Sequence, residues 1–384
     1  MGAPGPGSAT PGHTRMRLHR LLSTPGGPPW PPGYGAEGRA GVAVAYRVDN
    51  QEVRRLEDMK AALYRGTGPS SVLSVEEIAT PEPGPGQVRV KVFFSGVNPT
   101  DWKTRSGATG GAPASFQVPH HDGSGAIDAL GEGVTDRALG QRVWVYQAAY
   151  ANRYGTAAEY CVVPAARTIP LPDSASYELG ACLGVPALTA AICLGGHPEA
   201  LAGAHLLVAG GAGAVGHFAI ELAKHAGALV ATTVSSEDKA QMARAAGADL
   251  AVNYREPGAT ELVKSFAPRM DRIVELALGT NLELDLAVCG PGTLIVVYAA
   301  EPSDPVLPTR RLMNANVMFR FVLLYSVPAS ELAEAVAWAN GALVTGALTA
   351  LPVHLFPLDD IAAAQDAVEH GAVGKVLVVP DRHK

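Results

Sequence analysis

Cysteine is scarce in this chain of 384 residues. The four present, Cys161, Cys182, Cys193 and Cys289, form no C-x-x-C pair and have no histidine at finger spacing. A disulfide framework and a structural zinc knot are therefore excluded, and a reducing compartment, the cytoplasm, is expected. Also missing is any apolar run of the roughly 18 to 20 residues that a bilayer-spanning helix needs. Basic residues are not in excess: 30 Lys and Arg stand against 36 Asp and Glu, a formal charge of −6. No broad electropositive field is available for a phosphate backbone, which argues against general nucleic-acid binding and leaves room only for a local basic patch.

What is present is unevenly spread. The length suits two domains plus extras rather than one core. Of the first 58 residues 18 are Gly or Pro, against 55 of the remaining 326, and prolines at that density suit neither a helix nor a central strand. A disordered extension is expected over residues 1–58. Arg15, Arg17 and Arg20 interleave there with Met16, Leu18, Leu21 and Leu22, so an organelle-targeting segment competes with a solvated tail, although the amphipathic stretch covers only about two turns.

From Met59 to about Arg167 strand-like runs alternate with Gly/Pro turns. They include Gln87 to Phe94, Gly125 to Leu130, Arg142 to Tyr146 and Ala157 to Pro164, and they predict a small β-barrel. From about Pro186 strand and helix alternate, which predicts right-handed βαβ units and a parallel sheet. Helices over Ser330 to Gly341 and Asp359 to His370 and a strand KVLVVP complete the chain.

The sharpest local signal is HLLVAGGAGAVGHFAIELAKHAGALVATTV. Gly211, Ala212, Gly213, Ala214, Val215 and Gly216 fit G-x-G-x-x-G between a strand and a helix. The first glycine allows a tight turn, the second lets a pyrophosphate approach the backbone, and the third lets the helix pack closely. Amides at the helix N-terminus then face the phosphates. Dinucleotide binding is the reading; a structural Gly-rich turn is the alternative. After the next strand come Ser235, Ser236, Glu237, Asp238 and Lys239. Neutral hydroxyls followed by a lysine in the first helical turn favour a 2′-phosphate, hence NADPH over NADH, unless Lys239 is only a solvated surface side chain.

Together with these motifs, SGVNPTDWKTRSG, HHDGSGAIDALGEGV, GTAAEYCVVP, GVPALTA and VNYRE resemble the zinc-independent quinone oxidoreductases, zeta-crystallin-like, of the medium-chain dehydrogenase/reductase superfamily. The resemblance covers Met59 to about Pro380. It implies an α/β fold, a Rossmann doubly wound parallel sheet inserted into a GroES-like β-barrel. The barrel would comprise residues 59–186 and 327–384, and the NADP-binding domain residues 187–326. It implies 2′-phosphate contacts at Ser235, Lys239 and Tyr254, and a cofactor lining at Thr189, Asn281, Val297, Tyr298, Val322, Leu323 and Leu324. Lys375 falls near the domain cleft. Asn98 takes the place of the asparagine that orients the substrate carbonyl.

The sister branch binds catalytic zinc with thiolate and imidazole ligands. Its cysteine positions fall here on Asn98 and Val185, while His121 and Asp122 match its His-Glu pair, so no metal is expected and His120 and His121 are read as packing or hydrogen-bonding groups. Lys103 stands where the family often has a tyrosine and Thr109 near another aromatic, so Trp102 and Lys103 are expected to form a different pocket wall.

The implied activity is NADPH-dependent hydride transfer to a quinone or related conjugated carbonyl. Two other readings remain: an enal or enoyl-thioester reductase on the same scaffold, and a non-catalytic NADPH-binding or RNA-binding protein. The apolar segment Asn316 to Pro328, read as one long strand, is expected to pair across a homodimer or a dimer of dimers.

Overall fold

A computed structural model describes residues 1–2 and 58–381. The extension expected over residues 1–58 lies, apart from its ends, outside the described residues.

The strand Gln87–Val97 is the axis of the first sheet. Its alternation buries Val88, Val90 and Val92 on one face, while Arg89 on the other reaches Asp128 and Glu82. At 11 residues it is long enough to pair with three neighbours: Asp122–Leu130, Tyr160–Pro164 and the C-terminal strand Lys375–Val379. Arg142–Val145 and Thr168–Pro170 extend the sheet on one side and Val353–Pro357 on the other. The valines close over Ile127, Val143, Val145, Cys161 and Val163 to form the barrel core.

The second sheet has six strands, all parallel, in the order Leu250–Asn253, Leu229–Val234, His205–Ala209, Arg272–Glu275, Leu294–Val297 and Met318–Phe321. The chain order reverses between His205–Ala209 and Arg272–Glu275. In a doubly wound sheet the carboxyl ends beside such a reversal open a crevice for a ligand. The fold is thus the α/β architecture expected, with a Rossmann-type sheet and a GroES-like barrel.

Two of the helices that the reading of the sequence did not name bear on the site. Pro99–Ser106 follows Asn98, and the Asp101 carboxylate accepts the Asn98 backbone N–H at 2.7 Å. The N-P-T-D string carried that signal, with proline in the first turn and an acidic residue three positions after the cap. Pro186–Leu194 is buried at every position, so PALTAAICL shows no amphipathic period.

The segment expected as one long strand over Asn316 to Pro328 is corrected. Only Met318–Phe321 pairs in the sheet. Val322 and Leu324 turn into the main core, and Tyr325 leaves to pack on His121 and Tyr150 of the barrel. Burying those side chains between the lobes outcompetes extending an edge that has a single neighbour. Among the described residues, no helix is long and apolar enough to cross a membrane.

Candidate active site

A cleft of about 600 Å³ opens at the carboxyl ends of the parallel strands and runs to the helix Pro99–Ser106 of the barrel. Its floor is the glycine turn. Gly210 adopts φ +69°, and a Cβ there would lie 2.5 Å from Leu276. A Cβ on Gly216 would fall 2.3 Å from the Gly210 carbonyl oxygen, so the helix Ala214–His225 can sit this close to the turn only with glycine. Gly213 meets nothing nearer than 3.3 Å and leaves room on the cleft side. The left-handed turn therefore falls on Gly210, one residue before the fingerprint read from Gly211. Gly211 instead packs on Thr232, 2.2 Å from where its Cβ would stand. The doubled glycine in V-A-G-G was the available signal.

No side chain caps the helix Ala214–His225 at Gly213, so its first amides face the cleft unsatisfied by protein side chains. At one end of the cleft the Lys239 ammonium donates to Ser235 Oγ at 3.0 Å, with Tyr254 beside them and half-exposed. Of the two acidic residues that precede Lys239, Glu237 is engaged by Arg244.

The middle wall depends on Glu275. This buried carboxylate accepts from the Leu276 amide at 2.7 Å, from the Ala277 amide and from Asn281 Nδ2 at 2.9 Å, and Leu276, Ala277 and Asn281 all line the cleft. Burial pushes its pKa up and the three donors oppose that. Behind it Asp285 is fully buried, and neither carboxyl oxygen has a hydrogen-bond partner among the described residues. Burial and the Glu275 charge push the Asp285 pKa well above the carboxylate range.

The other end holds a buried polar group drawn from three parts of the chain. Lys375 Nζ donates to Asn98 Oδ1 at 2.5 Å, Asn98 Nδ2 donates to Asp122 Oδ2 at 2.7 Å, and Lys375 Nζ lies 3.6 Å from Asp122. All three are nearly inaccessible. Burial raises the Asp122 pKa, while the Lys375 charge and the Asn98 amide pull it back.

A smaller cavity of about 340 Å³ lies on the opposite side of Pro99–Ser106. It is lined by Thr100, Asp101, His120, His121, Tyr150 and Tyr325, among others. Tyr150 and Tyr325 stack at 5.4 Å, and the His121 ring lies 4.8 Å from Tyr325. Burial lowers the pKa of both histidines to about 3, so both are neutral at ordinary pH.

The cleft brings together Asn98, Lys103, Ala212, Gly213, Ala214, Val215, Ser235, Lys239, Tyr254, Asn281 and Tyr298. Gly211, Gly216, Thr189, Val297, Val322, Leu324 and Lys375 lie behind its surface, buried or nearly so. Leu323 borders the smaller cavity, and Trp102 lines neither space. Val185, Thr233, Leu276, Ala277, Thr280 and the Gly371 to Val373 turn also line the cleft. Val185 falls within GVPALTA; the others carry no motif by which to find them.

Two domain-family models match, the alcohol dehydrogenase GroES-like domain over residues 84–173 and the zinc-binding dehydrogenase over residues 214–341. Together they span more than half of the chain. The chain belongs to the medium-chain dehydrogenase/reductase superfamily. It is 27% identical to the quinone oxidoreductase of Sus scrofa over 321 residues, 83% of this chain and 96% of the relative. Against the quinone oxidoreductase of Homo sapiens it is 28% identical over 316 residues, 81% of this chain and 94% of the relative. A mycobacterial protein solved in complex with NADPH superposes with a TM-score of 0.73 at 28% identity, covering 84% of this chain and all of the other. As a member of this superfamily the protein is an oxidoreductase.

One matching family is named for zinc, and the residues here do not fit that metal. Asn98 and Val185 offer no thiolate, Asp122 is committed to Lys375 and Asn98, and His121 packs on Tyr325. Among the described residues, no three His, Cys, Asp or Glu side chains converge as a metal site. A dinucleotide does fit this medium-chain oxidoreductase: the glycine turn leaves room for a pyrophosphate, and the Ser235–Lys239 pair offers donors to a phosphate.

Asp285 supplies a test of the wall's electrostatics. Its raised pKa means that the folded protein keeps a proton which the unfolded chain releases above about pH 4. The native state therefore loses stability relative to the unfolded chain as pH rises from about 4 towards the raised value. Asp285→Asn removes that titration. In urea unfolding the stability of the variant relative to the unsubstituted protein is expected to rise between about pH 4 and pH 8, by one or more kcal/mol, roughly one pKa unit's worth or above. A difference that stays constant with pH would contradict the assignment.

Proposed function

We propose that the protein is an NADPH-dependent quinone reductase that works without a metal. The observation that carries this reading is the single cleft with a phosphate-binding end at Ser235, Lys239 and Tyr254, a glycine turn in its floor and the Asn98 amide at its far end. When bound, the nicotinamide supplies a hydride, which is chemistry the chain itself need not provide.

Lys239 and Ser235 hold the 2′-phosphate, and Arg244 keeps the Glu237 carboxylate engaged. The uncapped amides of the helix Ala214–His225 and the space above Gly213 receive the pyrophosphate. Glu275 fixes the Asn281 side chain and two amides against the ribose side of the cleft. Lys375 and Asp122 lock the Asn98 amide in one orientation, leaving its second Nδ2 hydrogen to donate to the acceptor oxygen as charge develops there. A quinone takes two electrons and one hydrogen with the hydride and a second proton from solvent, so no dedicated acid is needed.

Mixing the protein with NADPH and a panel of quinones should consume NADPH rapidly. Lys239→Ala should weaken NADPH binding about tenfold to a hundredfold and leave NADH binding nearly unchanged. Turnover of enals or enoyl thioesters far above that of quinones would replace the acceptor class. Tight NADPH binding with no turnover of any acceptor would replace the enzyme by a binding protein.

The edge strand Met318–Phe321 leaves Met318 and Phe321 more than half exposed, with Leu323 next to it equally so. We place a second copy of the chain against this edge, since an unpaired apolar edge is an association site. Sedimentation is expected to show a dimer or a multiple of one at micromolar concentration, and Phe321→Glu to dissociate it. A monomer before substitution would contradict this.

A further inference from the structure

The helix Pro99–Ser106 separates the two spaces, with Lys103 on the cleft side and Thr100, Asp101 and Thr104 on the cavity side. Among the described residues, no Asp or Glu lines the cleft. Its charged side chains are two lysines, Lys239 at the phosphate-binding end and Lys103 at the end of Asn98.

Other charged groups of the barrel are paired with one another. Asp122 lies 3.6 Å from the Lys375 ammonium, and Arg105 lies 3.2 Å from Glu369. Among the described residues, the acid lining the smaller cavity is Asp101, buried on the far side of the helix, where its carboxyl accepts the Asn98 backbone N–H. Burial keeps His120 and His121 neutral. Among the described residues, no carboxylate forms an ion pair with Lys103; its ammonium lies 5.8 Å from the Trp102 ring centroid. Lys103 thus brings an ammonium with no ion-pair partner among the described residues to the end of the cleft where the acceptor must sit, between low-dielectric walls that preserve its field.

We propose that the acceptor is an anion, a conjugated carbonyl compound that also bears a carboxylate or sulfonate, and that Lys103 pairs with that group while the carbonyl lies at Asn98. The inference rests on the reading of this cleft as a reductase site and narrows its substrate class. Lys239 is taken up by the cofactor's phosphate, so the second lysine is free for the acceptor.

The test compares naphthoquinone with its sulfonate in the unsubstituted protein and in Lys103→Gln. The ratio of kcat/KM values for the two probes is compared between the proteins, which cancels their difference in redox potential. The substitution should lower kcat/KM for the sulfonate about fivefold more than for the neutral quinone, as expected for one partly exposed ion pair. The excess should shrink as salt is added. An unaltered ratio would overturn the proposal, and so would an equal loss of NADPH affinity in Lys103→Gln, because Lys103 would then serve the cofactor. If neither quinone is turned over, the reductase reading fails separately. Calorimetric titration of the NADPH-loaded protein with the two probes then decides the charge preference alone: tighter sulfonate binding that Lys103→Gln abolishes supports it, and equal binding overturns it.

Discussion

A single buried ammonium organises the functional end of this molecule. Lys375 opens the last strand of the barrel sheet, Asp122 opens another, and Asn98 precedes the helix that divides the two cavities. Burying one of these charges without the other would be very costly, since a lone charge in a low-dielectric interior lacks both water and a counterion. The three therefore pair at the edge of the barrel, and when they do the Asn98 amide has only one orientation available. Its carbonyl oxygen is taken by Lys375 and one amide hydrogen by Asp122. The positive group beside that amide is an amine fixed to a strand.

The position of Asp122 is in turn secured by a buried chain of hydrogen bonds. Gln365 meets His120 Nε2, His120 Nδ1 meets Ser95 Oγ, Ser95 meets Thr156, and the Thr156 hydroxyl donates to the Asp122 carbonyl oxygen. His120 holds φ +76°, an uncommon conformation for a residue with a side chain, and burial keeps its ring neutral. A neutral imidazole can accept at one nitrogen and donate at the other, which joins amide and hydroxyl partners without adding a charge beside Lys375. Glu275 plays the corresponding part in the other sheet, where one carboxylate oxygen orders the middle wall of the cleft.

What the sequence made legible follows from range. The glycine turn, the strand before it and the Ser235–Lys239 pair lie within about two consecutive βαβ steps, so periodicity and motif spacing found them. Gly210 was missed by one position because two adjacent glycines satisfy the same pattern, and only the backbone angle separates them. The partnership of Asn98 with Lys375 spans 277 residues. No local pattern reports such a contact, so both residues entered only through family resemblance and their mutual contact not at all. The long strand expected over Asn316 to Pro328 failed for a related reason. Apolarity marks burial but does not say against which neighbour, and Val322, Leu324 and Tyr325 bury themselves between lobes instead of along the sheet.

The chemistry that emerges needs little beyond position and charge. On the proposed reading, a pre-oriented amide and a lysine at each end of a cleft with no acidic lining among the described residues hold two reactants and stabilise charge on one oxygen. The central claim is that Lys375, and no metal ion, furnishes the positive charge of the site. The most direct test is the rate of NADPH oxidation by a quinone after exhaustive treatment with a strong chelator, with metal content measured on the same sample. Full activity at a negligible metal-to-protein ratio is the predicted result. Activity lost with the metal and restored by stoichiometric zinc would contradict the account.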